Sequence, residues 1–212
     1  MRYTILFALT LMSHYSMAQK ELGIGFVKIN FEENSVLKFY QIPNSNKPIK
    51  TIEFFNDKKI NSISIRNLEE QNKWFSPASI WLDYYDLRLR AIEKKNDWIR
   101  VVVNEKDWTT YWVKEDQLAK FLPWEDFLKS VFNVERMDPK SQPIKSEPTI
   151  NSETINYDGV DCFNVRKVQG DWIEIYSQSW CEDFDDWKTK LNDGWVQWKS
   201  GNKLLIKIYT TS

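Results

Sequence analysis

The sequence predicts an all-β protein made of two tandem units that are joined by a short helical segment. The phrase Asn-Asp-Trp-Ile at residues 96–99 returns as Gly-Asp-Trp-Ile at residues 170–173, each time between runs that alternate apolar and polar side chains. A Trp-Val pair follows each phrase, at residues 112–113 and at residues 195–196. Because alternation at period two is the signature of half-buried strands, the repeated unit is predicted to be built from β-strands.

A third match lies upstream of the two phrases. Residues 40–50 read YQIPNSNKPIK and residues 136–145 read RMDPKSQPIK, so that residues 48–50 match residues 143–145 after a one-residue gap. Stretches rich in Pro and Ser are typical of loops that leave one strand and return to the next. Three matches in the same order predict an internal duplication: a loop, a hairpin and a further strand in each copy.

Each repeated phrase is predicted to be the turn of a β-hairpin. Leu89 and Ala91 flank Arg90 in the first copy, and Phe163 and Val165 take the equivalent positions in the second. The turn then consists of Asn or Gly followed by Asp, and Asn and Gly tolerate a positive φ. The Trp that comes next is predicted to open the second strand of each hairpin.

Between the two copies, residues 121–132 are predicted to form a short linker helix. Pro123 suits the first helical position, and the acidic residues 125–126 favour the first turn. Phe127 and Leu128 begin an apolar pattern at helical spacing. An extended linker with incidental apolar residues is the alternative.

The first residues read as an export signal. Arg2 gives a short positive start, and the apolar run at residues 5–12 is far shorter than the about 20 residues that span a bilayer. Ser16 and Ala18 are small residues at the spacing that signal peptidase reads. We predict a signal peptide over residues 1–18, cleaved near Ala18, and a secreted or periplasmic protein; a buried strand or helix is the alternative.

Cleavage would also remove the only histidine of the chain, His14. Triads of the Ser-His-Asp and Cys-His kinds are then excluded, as are zinc sites that use histidine. The formal net charge of the full sequence is −1, whereas a nucleic-acid partner calls for a basic stripe. We therefore expect no catalysis, no cofactor, no nucleic-acid partner and no membrane span after the signal.

The motifs resemble those of the bacterial Src-homology-3-like (SH3-like, or SH3b) domains of secreted proteins. The first copy departs from that pattern, since Asn96 and Tyr111 stand where the family has Gly, and it carries an insertion between Pro48 and Leu89. The resemblance implies two small β-barrels, at residues 21–120 and 133–212. In the second copy it rests on Gly170, Asp171, Trp172, Ile175, Gly194, Trp195 and Val196.

Cys162 and Cys181 flank the second hairpin. Folding the strands back at the turn brings their ends together, and export leads to an oxidising compartment. We predict a disulfide between them, worth about 3 kcal/mol in the chain-entropy model. One buried and one exposed cysteine, never bonded, is the alternative.

Residues 181–193 form an acidic run for which we expect no metal. Calcium prefers clustered oxygens, but the run lacks the spacing and the central Gly of an EF-hand loop, so a solvated loop is the better interpretation. A paired-carboxylate glycosidase is formally open, although nothing singles out two opposed carboxylates. The acids are Glu182, Asp183, Asp185, Asp186 and Asp193.

Tryptophan is unusually frequent, with 11 in the chain. Tyr176, Trp180, Trp187 and Trp198 are predicted to border a partly exposed ligand cleft on the second barrel, because aromatics beside polar groups suit stacking on sugars or gripping peptides. The alternative is that they pin the long loop onto the barrel.

The function expected from these features is binding or scaffolding without catalysis. Partners would be a cell-envelope peptide or glycan, or an exported protein. The alternative, from another class, is an inhibitor or immunity-type protein that plugs an exported enzyme. Fold alone does not decide between them.

Overall fold

The computed structural model describes residues 22–177 and 189–211. Strands dominate this part of the chain, which confirms the predicted all-β class. The first unit contains β1 (Gly25–Ile29), β2 (Val36–Phe39), β3 (Lys50–Asp57), β4 (Ser62–Ile65), α1 (Leu68–Gln71), β5 (Ser79–Trp81), a 3₁₀ helix (Leu82–Tyr84), β6 (Asp86–Lys95), β7 (Trp98–Asn104), β8 (Thr109–Lys114) and β9 (Ala119–Pro123).

The second unit begins with a helix and continues in short strands. It contains α2 (Trp124–Ser130), β10 (Asn133–Arg136), β11 (Ile144–Lys145), β12 (Thr154–Ile155), β13 (Phe163–Gln169), β14 (Trp172–Ser177), β15 (Gly194–Gln197), β16 (Lys199–Ser200), β17 (Lys203–Leu204) and β18 (Ile206–Tyr209). Among the described residues, no helix has the length and apolar character needed to cross a membrane.

The two units share one antiparallel strand order. In the first it runs β8-β7-β6-β1-β9, and in the second β15-β14-β13-β10-β18. A further strand continues each sheet beyond β8 or β15: β11 pairs with β15 through Lys145 and Trp195, and the chain just after β2 pairs with β8 through Tyr40 and Trp112. The order is therefore duplicated, strand for strand.

The two predicted hairpins form as expected. Lys95 pairs with Trp98 and Gln169 with Trp172, so each Trp opens the second strand. The first turn residue has a positive φ in both copies, 53° at Asn96 and 59° at Gly170, which is the backbone region that Asn and Gly tolerate best.

The correspondence extends to irregularities and cross-strand partners. The register of the first hairpin shifts just after Ala91, and that of the second just after Val165. These positions are equivalent, so the same β-bulge occurs twice. The next pairing also repeats, since Ile99 lies opposite Val113 and Ile173 lies opposite Val196.

The predicted match between residues 48–50 and residues 143–145 is wrong. Because Tyr40 pairs with Trp112 and Lys145 pairs with Trp195, Tyr40 is the structural equivalent of Lys145. The Pro-Ser loop of the first unit follows its second strand, whereas that of the second unit follows its first strand. The two loops have similar compositions, but Pro and Ser occur in turns of many kinds. Their presence therefore does not show which residues of the two units are equivalent.

The predicted linker helix is shorter than expected. It spans Trp124–Ser130, and Pro123 is its N-cap residue, outside the helix. Phe121 and Leu122 belong to β9 instead, where they lie opposite Val27 and Phe26 of β1. Pairing with a partner strand outweighs the helical pattern at the start of the predicted segment.

In the described part of the chain, most of the buried apolar residues form two clusters, one centred on each unit. Strand β1 contributes to both, because Val27 and Ile29 face the first cluster and Phe26 belongs to the second. The ring centroids of Phe26 and Phe127 lie 4.3 Å apart. Helix α2 buries Phe127 and Leu128, so the two units are packed against each other through this helix and β1.

Candidate binding surfaces

Trp198 does not border an exposed cleft, which corrects the prediction for this residue. Only 2% of it is exposed, its ring centroid lies 5.0 Å from that of Trp124, and its Nε1 donates a 3.0 Å hydrogen bond to the carbonyl oxygen of Gly170. Alternation accounts for this, because Val196, two residues earlier, is also buried. The same period-two pattern was readable in the sequence.

The other predicted site residues are not brought together by the described part of the chain. Tyr176 is half-buried, and the guanidinium carbon of Arg166 lies 4.7 Å from its ring centroid. Trp180 and Trp187 lie outside the described residues. The predicted cleft on the second unit therefore remains a prediction that rests on those two.

Cys162 is buried directly before β13, where Asn133 donates a 3.3 Å hydrogen bond to its Sγ. Cys181 lies outside the described residues, as do the acids at 182, 183, 185 and 186. The disulfide therefore stays a prediction. Within residues 22–177 and 189–211, no group of three or more acidic, His or Cys side chains could hold a metal ion.

A cleft of about 500 Å³ lies in the insertion of the first unit. Its rim is unusually exposed for apolar residues, since 58% of Trp81, 61% of Tyr84 and 63% of Ile60 is open to solvent. Apolar surface concentrated in this way marks an interaction site more often than scattered exposed residues do. The lining consists of Ile60, Ile63, Ser64, Leu68, Asn72, Ile80, Trp81, Leu82, Asp83 and Tyr84; we call it the insertion cleft.

A 3₁₀ helix carries part of the aromatic rim. Trp81 is the residue before this helix and Tyr84 is its last residue, and both side chains are exposed. Tyr85 then adopts a left-handed conformation with φ 53°, which is uncommon for a bulky residue. Its ring stacks on Phe31, with centroids 5.7 Å apart. This contact packs the residue after the 3₁₀ helix against the buried cluster of the first unit, to which Phe31 belongs.

The insertion cleft is flanked by two sheet edges. Strand β4 ends the sheet β2-β3-β4, and β5 pairs with β6 alone in the described part of the chain. The hydroxyl of Ser62 on β4 donates a hydrogen bond to the carboxylate of Asp83, which connects β4 to the 3₁₀ helix that follows β5. Edge strands present unpaired backbone groups that can accept a further strand.

A smaller groove occurs at equivalent places in both units. In the first it has about 190 Å³ and is lined by Val36, Leu37, Lys38, Lys114 and Leu118, among others. In the second it has about 130 Å³ and its counterparts are Ser141, Gln142, Pro143, Gln197 and Leu205.

The equivalence follows from strand pairing, since Lys114 lies opposite Trp98 and Gln197 lies opposite Trp172. Leu118 and Leu205 each precede the strand that pairs with the first strand of their unit. Lysines line one groove, and amides and a proline line the other. The chemistry of the equivalent position therefore differs between the two units.

Sequence reasoning missed the insertion cleft, because it treated the extra residues of the first copy as a departure from the repeat. The available signal was the run SIWLDYY at residues 79–85, where aromatics and an acid follow one another without the alternation of a strand. Comparisons of the chain with models of protein families, with curated proteins and with solved structures found no match.

Proposed function

We propose that the chain is an exported, non-catalytic binding or scaffolding protein of two tandem SH3-like units. The observation that carries the binding role is the insertion cleft, with its exposed Trp81 and Tyr84 beside two sheet edges. Such a surface is costly to leave in water and is typical of a docking site. The only histidine of the sequence, His14, falls in the predicted signal peptide, which supports a role without catalysis.

The duplicated strand order supports the SH3-like part of the proposal. Five strands in each unit follow the same path, and a further strand continues the sheet at β8 and at β15. In an SH3-like barrel such a small sheet would close on itself, which would protect its edges. The repeated bulge and turn are features that a common ancestor of the two units would pass to both.

Among the partners considered, an extended peptide of an envelope or exported protein fits the insertion cleft best. A peptide strand added to β4 or β5 would pair its backbone with the edge, while its apolar side chains would enter the cleft. Trp81 would then act as the central anchor, because large aromatic residues dominate such interfaces. A glycan would use the rings but not the edges.

The test compares Trp81→Ala and Ile60→Ala with Ile42→Ala. Ile42 is a matched control, since it is 62% exposed and lies in a loop outside the cleft, whereas Ile60 is 63% exposed at its rim. Peptides are selected on the wild-type protein from a displayed random library, and their affinities are measured for each variant. Loss of an anchor worth about 2 kcal/mol weakens binding about thirtyfold.

Expected is weaker peptide binding for the two cleft variants and unchanged binding for Ile42→Ala. If the wild-type protein sediments with purified peptidoglycan and Trp81→Ala does not, the ligand of the cleft would be a glycan. If the protein instead recovers one enzyme from envelope extract in stoichiometric amounts and inhibits it, the chain would be an inhibitor or immunity-type protein. If all three variants bind peptide equally well, the insertion cleft is not the binding site.

A further inference from the structure

A second cleft lies where the two units meet, and the binding role proposed above does not use it. It has a volume of about 270 Å³. Strands β1 and β6 supply one wall and helix α2 and strand β18 the other, with Phe26, Arg88, Trp124, Phe127, Ile206 and Thr210 among the lining residues. We call it the inter-unit cleft. Its walls are largely apolar, and none of the described residues that line it is acidic.

Arg88 is the unusual residue of this cleft. Its side chain is only 8% exposed, and its Nε lies 2.6 Å from Oδ1 of Asp86. The guanidinium carbon lies 5.2 Å from the ring centroid of Phe127. Its Nη1 is buried and has no hydrogen-bond partner in the described part of the chain. A buried donor without an acceptor is rare in folded proteins, and a bound group commonly accounts for it.

Asp86 accepts no hydrogen bond from Nη1 of Arg88 in this structure, although its Oδ1 is itself buried without a hydrogen-bond donor in the described part of the chain. Its Oδ2 already accepts hydrogen bonds from Ser79 Oγ at 2.7 Å and from Thr210 Oγ1 at 3.0 Å, and its Oδ1 faces Nε of Arg88. Burial lowers the pKa of the Arg88 guanidinium even though Asp86 acts in the opposite direction. An additional anion in the cleft would offset that desolvation.

The other cations of the cleft have partners but still add positive potential. Arg90 pairs with Glu105 at 2.9 Å and donates to the carbonyl oxygen of Leu22. Lys207 pairs with Glu135 at 3.2 Å. Both partner acids lie outside the lining of the cleft. An entering ligand therefore meets three cationic side chains among aromatic and aliphatic walls.

We propose that the inter-unit cleft binds an organic carboxylate, with its charged group at Arg88 and its apolar portion between Phe26, Phe127 and Ile206. A guanidinium presents a planar fork of donors that matches a carboxylate. The volume suits a short acyl chain or a single aromatic group, because drug-sized pockets start at about 300 Å³. The same chemistry occurs in a free carboxylic acid and in the C-terminus of a peptide.

The experiment is calorimetric titration of the full chain with matched probes. Octanoate represents the free acid and N-acetylphenylalanine the peptide C-terminus; octanamide and N-acetylphenylalaninamide are their neutral counterparts. We expect the acids to bind at least tenfold more tightly than the amides. The acid that binds more tightly identifies the source.

Two variants localise the binding. Arg88→Gln removes the guanidinium, and Arg166→Gln is its control, because Arg166 also stacks on an aromatic ring but lies in the second unit away from the cleft. Since Arg88→Gln leaves Asp86 unpaired, its folding can suffer. Ala78→Phe avoids this, because Ala78 is exposed and lines the cleft, so that the new ring occupies the cleft while the side chains of Arg88 and Asp86 are both kept.

We expect Ala78→Phe, folded as judged by its melting curve, to lose at least tenfold in affinity for the acid, and Arg166→Gln to bind as the wild type does. Three results would overturn the proposal: no binding of either acid, equal binding of acid and amide, or undiminished binding by Ala78→Phe.

Discussion

Thr210 Oγ1 donates a 3.0 Å hydrogen bond to Oδ2 of Asp86, a residue 124 positions earlier in the chain. The bond connects the end of β18 to the start of β6, and therefore joins the second unit to the first. Asp86 is 3% exposed and also holds Ser79 and Arg88. One buried carboxylate thus links three segments, beside the contact of Phe26 with Phe127.

Asp86→Asn is expected to lower the free energy of unfolding by about 3–5 kcal/mol, because it leaves the buried Arg88 charge without its partner. Thr210→Val is expected to cost only about 1 kcal/mol, since it removes one hydrogen bond. Urea unfolding of both variants checks the order. Asp97→Asn, at an exposed hairpin turn, is the control and should change little. Equal stability of Asp86→Asn and wild type would contradict the role of the carboxylate.

The equivalence of the two hairpin turns predicts that their first residues can be exchanged. Gly170 has φ 59°, and a Cβ added there meets nothing within 4 Å, so only the backbone conformation matters. Gly170→Asn is expected to cost less than about 1 kcal/mol, because Asn96 already adopts this conformation in the first unit. Gly170→Val is expected to cost about 1–2 kcal/mol more. Thermal unfolding of both variants measures the difference, and equal costs would refute the shared geometry.

The hairpins were predictable because their signals are local. A turn pair, a Trp and an alternating run lie within a few residues, and Lys95 pairs with Trp98 and Gln169 with Trp172 directly across the turns. The β-class follows from the same alternation.

The loops and the insertion cleft were not predictable, because their register is set by distant partners. Tyr40 pairs with Trp112, which lies far along the chain, and Lys145 pairs with Trp195. Composition alone made both Pro-Ser loops look equivalent. The run SIWLDYY signals the aromatic residues of the insertion cleft, but the cleft itself also requires β4 and β5 to end separate sheets, which no local pattern shows.

Ionisation of Tyr157 is expected to lower the stability of the folded protein at high pH. Burial raises the pKa of its phenol, whose hydroxyl donates a 2.7 Å hydrogen bond to the carbonyl oxygen of Val160. The folded state therefore holds the proton more tightly than the unfolded state, so this contribution is full below about pH 10 and is lost as the pH rises further. Tyr157→Phe should flatten the fall in melting temperature above pH 10. Tyr84→Phe, at an exposed tyrosine, is the control, and an equal effect of both would contradict the prediction.

The predicted disulfide between Cys162 and Cys181 has a direct chemical test. Thiol titration of the denatured, unreduced protein should find no free thiol, and reduction should lower the unfolding free energy by about 3 kcal/mol. Cys162→Ala in the reduced protein separates the loss of the bond from the loss of a buried side chain. Two free thiols before reduction would exclude the bond.

Trp198 and Trp81 are expected to respond oppositely to truncation. Trp198 is buried against Trp124 and bonded to Gly170, so Trp198→Ala removes core contacts and should cost about 3–5 kcal/mol of stability. Trp81→Ala removes a largely exposed ring and should leave the unfolding free energy within about 1 kcal/mol of wild type.

Peptide binding should change in the reverse order. Trp81→Ala weakens it at unchanged stability, whereas Trp198→Ala, measured per folded molecule at low temperature, binds as the wild type does. Melting curves and affinities are needed for both variants, because neither measurement alone distinguishes the loss of a binding contact from the loss of folded protein. A large fall in melting temperature for Trp81→Ala would mean that its ring supports the 3₁₀ helix. The exposed cleft would then be a structural feature of the insertion, and the binding site would have to be sought at the paired grooves of the two units.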